Sequence, residues 1–359
     1  MIAPIRWERH RLLLLDQTLL PVEERTREYT RWRDVADAIR TLVVRGAPAI
    51  GCAAAFGVAL AARQSAARDG EGLVADLEEA IKGLAATRPT AVNLFWALDR
   101  MRGVAEAHRA LPVPALRERL LGEAQAILDE DLAANKALGA HGAALVPERA
   151  RILTHCNAGA LGFQDHGTAL AVVRFAHIAG KRPHVYVSKT RPWLQGSRLT
   201  TWELQQEGIP HELVVDSVCA WLFQQKRVDA VIVGADRIAA NGDVANKIGT
   251  YDKAVLAHEH GVPFYVAAPT NTFDLSTPNG QGIEIEERTA QEVLTVVGRL
   301  RSKRIDSVQV APDGTSALNP VFDVTPVKYV TGFITERGVL TNASPAKIER
   351  LLGPRSEDS

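Results

Sequence analysis

The stretch RILTHCNAGALG, residues Arg151–Gly162, decides how this chain folds. Its apolar pair, Ile152 and Leu153, is typical of a short buried strand, and a loop of small residues begins after Cys156. A helical pattern starts near Thr168. A strand that enters a glycine-containing loop and then a helix lets backbone N–H groups approach a ligand closely. The stretch therefore predicts a strand-loop-helix unit with a candidate site in its loop.

Cys156, immediately before this loop, has two interpretations. A thiol close to the start of a helix feels the positive end of the helix dipole, which favours the reactive thiolate. A small buried residue would occupy the same place in the sequence, because free cysteines are among the most buried side chains. The position of Cys156 alone favours neither interpretation.

Strands alternate with helices in the part of the chain that follows Pro147. The apolar runs rich in strand-forming residues are Ile152-Leu153, Val185–Val187, Leu213–Val215, Val228–Val233 and Phe264–Ala267. Such alternation predicts a parallel sheet with right-handed crossovers, in which ligands bind beyond the carboxyl ends of the strands. No GxGxxG or GxxxxGK[ST] motif opens any of these units, so the nucleotide-binding classes lack their expected motif.

The first third of the chain is predicted to be mostly helical. Arg11–Leu15 predicts one strand of a short antiparallel hairpin, to which Glu28–Trp32 pairs back. Helical patterns follow at 34–43, Ala49–Ala67, Leu73–Leu84, Val92–His108 and, as a long amphipathic helix, Leu116–Leu132. We therefore predict an α/β protein in which a smaller, mostly helical N-terminal domain, residues 1–122, precedes a parallel-sheet domain, residues 123–359. The boundary is placed near Gly122, within the long helix.

Composition and charge exclude several classes of function. The 359 residues carry 42 Lys and Arg against 42 Asp and Glu, so nothing in the charge favours nucleic acid or an anionic membrane as a partner. The three cysteines lie far apart and form no metal-binding motif, which is typical of a reducing compartment. The N-terminus has no apolar signal region, and no stretch has the length expected of a membrane span. We therefore expect a cytoplasmic location.

Polar side chains follow several of the predicted strands. Cys156 follows the first strand, Gln195 lies in the segment after the second, and Asp236 follows the fourth. The loop that begins at Asp236 continues to Asn246 and Lys247. Because the carboxyl ends of parallel strands meet at one edge of a sheet, we expect these side chains to converge there.

The polar and cysteine residues of the chain have simpler interpretations when each is taken alone. Asp236 would cap a turn, Arg191 and Arg198 would be solvated surface charges, and Lys247 would flank a helix. His155 is expected to be a satisfied structural group, because no acidic or cysteine partner stands at the spacing of a metal ligand. Cys52 and Cys219 are expected to be packing residues. The predicted convergence at one edge weakens the simpler interpretations of the edge residues.

A thiol and a carboxyl together, with cations nearby for an anion, suit acid-base chemistry on a phosphorylated small molecule. Chemistry at a carbon next to an oxygen-bearing carbon needs one group that removes a proton and another that protonates an oxygen. That chemistry requires no metal or redox cofactor, so none is expected. The residues thus predict an isomerase or a lyase that acts on a sugar phosphate.

Four long motifs in the chain resemble one known family. They are RGAPAIG at Arg45–Gly51, THCNAGAL at Thr154–Leu161, TRPWLQGSRLTTWEL at Thr190–Leu204 and GADRIAANGDVANKIGTY at Gly234–Tyr251. In this order they resemble the methylthioribose-1-phosphate isomerases of methionine salvage. The resemblance implies a Rossmann-like sheet domain beside a helical N-terminal domain, usually in a homodimer. The same architecture occurs in regulatory subunits of the translation-initiation nucleotide-exchange factor.

The resemblance also implies an activity and a set of site residues. The family converts 5-methylthioribose 1-phosphate into 5-methylthioribulose 1-phosphate, an aldose-to-ketose change. By motif match, Cys156 would be the catalytic thiol and Asp236 the acid that protonates the ring oxygen. Cys156 would either carry a proton from C2 to C1 or stabilise charge during a hydride shift. The residues implied to bind substrate are Arg45, Gly46, Ala47, Arg88, Gln195, Asn246 and Lys247.

The chain departs from the family's usual pattern at three positions. Lys189 stands where an acidic residue usually precedes Thr-Arg-Pro, Ala158 replaces a common threonine, and Val244 replaces a small polar residue. The reversed charge at Lys189 is either a surface or dimer-contact substitution or the sign of a related substrate, such as 5-deoxyribose 1-phosphate or ribose 1,5-bisphosphate. A third alternative is a non-catalytic regulatory scaffold, which would have no chemical need for Cys156 or Asp236.

Overall fold

A computed structural model describes residues 2–89, 91–302 and 304–353 of the chain. The contacts between these residues divide into two compact units. Unit 1 comprises Met1–Thr18, Glu24–Ala134 and Ala160–Gly167, and unit 2 comprises Leu19–Glu23, Asn135–Gly159 and Thr168–Ser359.

Unit 1 combines a three-stranded antiparallel sheet with helices. The strands are β1 (Ile5–Glu8), β2 (Arg11–Leu15) and β3 (Thr26–Tyr29), and β2 lies in the middle. The helices are α1 (Trp32–Arg40), α2 (Ala47–Gln64), α3 (Gly70–Ala85), α4 (Val92–Ala107) and α5 (Val113–Ala143), whose last residues belong to unit 2. The hairpin is confirmed, but its returning strand β3 ends before the predicted Trp32, because that residue begins α1.

Helix α2 is the centre of unit 1. Its alanines and glycines let neighbouring helices approach closely, and Phe56 fills the core with no exposed surface. By length and composition α2 would pass for a membrane span, contrary to the expectation from the sequence. However, 89% of the helix is buried inside the protein, as in the central helix of a folded core.

Helix α5 carries the boundary between the two units. Ala124 and Ile127 pack into the core of unit 1, whereas Leu138 belongs to a core of unit 2. The division therefore falls after Ala134, further along the same helix than the predicted boundary at Gly122. The sequence pattern of one continuous amphipathic helix does not indicate where its burial passes from one core to another.

Unit 2 is built on a seven-stranded sheet. The strands of unit 2 are β4 (Arg151–Thr154), β5 (His184–Ser188), β6 (His211–Val214), β7 (Ala230–Val233), β8 (Arg237–Ala239), β9 (Val244–Lys247), β10 (Phe264–Ala267), β11 (Phe273–Asp274), β12 (Thr295–Arg299), β13 (Ile305–Gln309), β14 (Phe322–Thr325), β15 (Gly332–Thr335) and β16 (Gly338–Thr341). The order in the large sheet is β16-β15-β10-β7-β4-β5-β6, and only β16 is antiparallel to its neighbour.

The five predicted strands are confirmed as β4, β5, β6, β7 and β10, and their parallel pairing is confirmed with them.

The helices of unit 2 are α6 (Ala169–Ile178), α7 (Thr201–Gln206), α8 (Val218–Gln224), α9 (Thr250–Glu259), α10 (Gln291–Leu294) and α11 (Pro345–Leu352). A second sheet, in the order β11-β8-β9-β14, was not predicted, because its strands have only two to four residues and include polar ones.

A buried ion pair joins α6 to α7. The Glu203 side chain is completely buried and that of Arg174 is 4% exposed, with Nη2 and Oε2 separated by 2.6 Å. Arg174 also donates through Nε to Glu207, at 2.6 Å. A carboxylate removed from water in this way must be compensated by charge and hydrogen bonds.

Removal of Glu203 tests how much this pair contributes to stability. We expect Glu203→Ala to lower the free energy of unfolding by about 3 kcal/mol, because it leaves a buried guanidinium with one partner fewer. The matched control is Glu79→Ala, which breaks the exposed Arg33–Glu79 ion pair and should cost less than about 1 kcal/mol. Denaturant unfolding of both variants measures the difference, and equal losses would contradict the assignment.

Candidate active site

Cys156 lies two residues after the end of β4, with its side chain partly exposed. Its φ of +62° is in the left-handed region, which is uncommon for residues other than glycine. The backbone N–H of Cys156 donates to Thr190 Oγ1 at 2.9 Å, and Thr200 Oγ1 donates to the Cys156 carbonyl at 2.6 Å. Two threonine hydroxyls therefore hold the peptide groups on both sides of the cysteine.

The loop that follows Cys156 rests on the buried Glu203. Asn157 Nδ2 donates to Glu203 Oε1 at 2.8 Å. A Cβ atom on Gly159 would lie 2.3 Å from Glu203 Oε2, so a larger residue there would require the loop or the Glu203 carboxylate to shift. The small residues in this part of the sequence thus have a packing reason as well as a functional one.

His155 is a structural residue, as the sequence predicted. Its Nε2 lies 2.8 Å from the Ile248 carbonyl, which can only accept, so Nε2 carries the proton. Nδ1 is then the acceptor for Ser188 Oγ at 2.5 Å. Burial, and then the nearby positive charge of Lys253, hold the pKa of His155 well below 6.5. The imidazole is neutral with both nitrogens engaged, and it is not a base for Cys156.

Asp236 lies after β7, the strand next to β4 in the sheet. Its backbone N–H donates to the Ala245 carbonyl at 2.9 Å, which joins the Asp236 turn to β9. A Cβ atom on Gly234 would lie 2.7 Å from the Ala158 Cβ. The loops that carry Asp236 and Cys156 therefore contact each other. The predicted convergence of the two side chains stays a prediction.

Asn246 and Lys247 are the last two residues of β9, and both are buried. Asn246 Nδ2 donates to Thr250 Oγ1 at 3.0 Å, and Lys247 Nζ lies 4.7 Å from the centre of the Phe322 ring. The residue after Lys247 accepts the hydrogen bond of His155, so this end of β9 adjoins the Cys156 loop. Lys247 is thus a buried strand residue rather than a helix-flanking charge.

Gln195 is buried at 5% exposure, and its Oε1 accepts no hydrogen bond within the described part of the chain. The neighbouring Gly196 has no room for a side chain, since a Cβ there would lie 1.8 Å from the Ser188 carbonyl oxygen and 3.2 Å from Thr190 Oγ1. Gln195 is therefore held beside the threonine that binds Cys156, with an acceptor free for a hydroxyl of a ligand.

The other predicted substrate-binding residues belong to unit 1. Arg45 is buried, Gly46 immediately precedes α2, Ala47 is its first residue, and Arg88 follows α3. Gly46 has a φ of +92°, and a Cβ atom on it would lie 2.4 Å from the Cα of Gly162, so only glycine fits there. The start of α2 offers N–H groups to an anion. The binding roles of these four residues stay predictions.

Sequence reasoning missed Thr190, Thr200 and Glu203 as site residues, although all three lie within a motif that it quoted. It also interpreted Arg191, taken alone, as a solvated surface charge. The Arg191 guanidinium instead donates to the carbonyl oxygens of Val293, at 2.8 Å, and Thr295, at 3.2 Å, and so it fixes a neighbouring segment. Among the residues that the structure describes, no group of three or more His, Cys, Asp or Glu side chains is arranged to bind a metal ion.

Comparison with known proteins gives matches over nearly the whole chain. Residues 43–342 match the Initiation factor 2 subunit family. A methylthioribose-1-phosphate isomerase from Citrifermentans bemidjiense is 52% identical over 349 residues, which are 97% of this chain and 98% of that protein. The solved structure of 5-methylthioribose 1-phosphate isomerase from Pyrococcus horikoshii OT3 is 44% identical, with a TM-score of 0.88 over 98% of this chain and 96% of that chain.

A second solved structure has a different description. The translation initiation factor eIF-2B, subunit delta, from A. fulgidus is 42% identical, with a TM-score of 0.83 over 98% of this chain and 99% of that chain. These matches confirm the predicted α/β fold and the resemblance inferred from the four motifs. The chain belongs to the Initiation factor 2 subunit family and, within it, to the methylthioribose-1-phosphate isomerases.

Proposed function

We propose that the protein is an aldose-ketose isomerase that converts 5-methylthioribose 1-phosphate into 5-methylthioribulose 1-phosphate in methionine salvage. The observation that carries this proposal is the 52% identity with a methylthioribose-1-phosphate isomerase over nearly the whole length of both chains. The site supports it, because a thiol and a carboxyl follow adjacent parallel strands, and their loops contact each other.

The chemistry of the substrate explains why both groups are needed. C1 carries the phosphate, so the ring cannot open by loss of a hydroxyl proton. In the proposed reaction Asp236, in its protonated form, donates to the ring oxygen as the C1–O bond breaks. Cys156, as a thiolate, removes the proton from C2 and returns one to C1, while the 2-hydroxyl gives its proton to the Asp236 carboxylate as the C2 carbonyl forms. A direct hydride shift from C2 to C1 is the alternative, with Cys156 stabilising charge.

Binding of the substrate is assigned to the surrounding polar groups. Gln195 Oε1, buried and without a hydrogen bond in the described chain, suits a sugar hydroxyl. By resemblance to the methylthioribose-1-phosphate isomerases, we also assign Asn246 and Lys247 to substrate binding. The same resemblance assigns Arg45, Gly46, Ala47 and Arg88 to this role, and the N–H groups at the start of α2 suit a phosphate. We further propose that the enzyme is a cytoplasmic homodimer and requires no metal or cofactor.

A regulatory scaffold is the second candidate, and the 42% identity with a translation initiation factor subunit favours it. A scaffold would bind its partner without turnover of a sugar phosphate. Cys156 and Asp236 are both present, and the stereochemically restrained backbone of Cys156 has no evident purpose in a scaffold.

Activity on a panel of aldose 1-phosphates decides between these functions. The purified protein, with a chelator and no added metal, should convert 5-methylthioribose 1-phosphate with a higher kcat/KM than 5-deoxyribose 1-phosphate or ribose 1,5-bisphosphate. Phosphorus NMR of the reaction mixture measures each conversion. Preference for the bisphosphate would reassign the substrate, and no conversion of any compound would support the scaffold.

The two proposed catalytic groups are tested by conservative substitutions. Cys156→Ser and Asp236→Asn should each lower kcat by about 10²- to 10⁴-fold, because each removes a proton-transferring group and keeps the side-chain shape. The circular dichroism and the melting temperature of both variants should stay close to those of the wild type. Near-wild-type turnover in either variant would refute the role of that residue.

Alkylation tests whether Cys156 is the accessible thiol. Cys52 and Cys219 are buried, and burial raises the pKa of Cys52 well above its usual value and that of Cys219 to about 11. Iodoacetamide at neutral pH should therefore label Cys156 fastest, because the thiolate is the reacting form. Bound substrate should protect it. Peptide mass spectrometry measures the three rates, and equal labelling of all three cysteines would contradict the assignment.

A further inference from the structure

Thr190 has a restrained backbone of its own. Its φ is +63°, in the left-handed region, and it follows β5, the other neighbour of β4. The backbone N–H groups of Thr190 and Arg191 donate to the two carboxylate oxygens of Asp216, at 2.8 and 3.0 Å. Asp216 itself follows β6, the next strand in the sheet. A carboxylate from one strand end thus holds the turn at the end of the neighbouring strand.

The Thr190 hydroxyl has a defined direction. It accepts the N–H of Cys156 at 2.9 Å and lies 3.1 Å from the Ser188 carbonyl oxygen, to which it donates. His155 Nδ1 is 3.4 Å away and already has a closer partner in Ser188 Oγ. Because the Thr190 hydroxyl hydrogen points at the Ser188 carbonyl, an oxygen lone pair is left to accept the N–H of Cys156.

Asp216, Thr190 and Cys156 form a continuous series of hydrogen bonds across three adjacent strand ends. A non-glycine residue with a left-handed backbone persists only where its surroundings hold it. The backbone dihedrals of Cys156 set the direction of its Cα–Cβ bond and hence the position of the sulfur. Loss of the acceptor for its N–H would allow the residue to relax and the sulfur to move.

We propose that Thr190 is a positioning residue for the Cys156 thiol, and that Asp216 positions Thr190 in turn. This inference rests on Cys156 being the reacting thiol of the proposed isomerase. Thr190 acts through the backbone of Cys156 and takes no proton from the substrate. A misplacement of about 1 Å at a reacting group lowers turnover by about 10²-fold, which sets the scale of the expected effect.

The pair Thr190→Val and Thr190→Ser separates the hydroxyl from the shape of the side chain. Thr190→Val should lower kcat by about 10- to 100-fold and change KM by less than about threefold, because ground-state contacts with the substrate remain. Thr190→Ser keeps the hydroxyl and should retain kcat within about threefold. Thr190→Val should also slow the alkylation of Cys156 relative to the wild type.

Thr335→Val is the matched control. Thr335 is buried, lies at the end of β15 three strands away from β4, accepts the N–H of Arg337 at 3.1 Å and donates to the Gly338 carbonyl at 3.0 Å. The Thr335→Val variant therefore loses the same two kinds of hydrogen bond to the backbone as Thr190→Val does. We expect it to lower the melting temperature and to leave kcat and the alkylation rate of Cys156 unchanged.

The outcomes distinguish this inference from the proposed function. If the wild type turns over no sugar phosphate, the proposed function fails, and slower alkylation of Cys156 in Thr190→Val still supports the positioning. If the wild type is active and Thr190→Val keeps its kcat and alkylation rate, the inference is overturned. Equal losses of kcat in Thr190→Val and Thr335→Val would overturn it as well.

A second variant keeps the test decisive if Thr190→Val does not fold. Asp216→Asn retains one of the two acceptor oxygens and should lower kcat relative to the wild type, with a proportionate slowing of the alkylation of Cys156. Wild-type kcat and alkylation in a folded Asp216→Asn variant would contradict the role of Asp216.

Discussion

The candidate site of this protein depends on one buried carboxylate. Glu203 has no exposed side-chain surface, and a charge in that position is stable only when donors surround it. Arg174 supplies the opposite charge and Asn157 an amide N–H, while Gly159 leaves the space that the carboxylate fills. Because the buried Glu203 carboxylate must be paired and hydrogen-bonded, it holds the loop after β4 through Asn157. Cys156 immediately precedes that loop, so its position follows from the same requirement.

The parallel sheet places the Cys156 loop next to other loops that carry polar residues. The strands that precede Cys156 and Asp236 are neighbours, and the close contact between Gly234 and Ala158 requires small residues in both loops. The hairpin of β8 and β9 brings buried polar side chains to the same place, among them Lys247. Each side chain alone has an ordinary structural explanation. Their placement after adjacent parallel strands is what supports the proposed acid-base chemistry on a sugar phosphate.

The sequence allowed five strands of the large sheet to be predicted, since apolar runs mark them, and it placed Cys156 and Asp236 after β4 and β7. The reactive roles of these two residues stay predictions. The sequence did not allow the short strands β8 and β11 to be predicted, because two or three residues carry no periodicity. Thr190 and Thr200 were missed for another reason. Their partners at Cys156 lie 34 and 44 residues away along the chain, and only the folded sheet brings them together.

A structure with bound substrate tests the central claim most directly. Crystals of the Cys156→Ser variant, soaked with 5-methylthioribose 1-phosphate, should contain the sugar at the edge of the sheet between β4 and β7. We expect an Asp236 carboxylate oxygen within about 3 Å of the ring oxygen and the residue 156 side chain beside C1 and C2. A sugar phosphate bound elsewhere, or with Asp236 remote from its ring oxygen, would contradict the account.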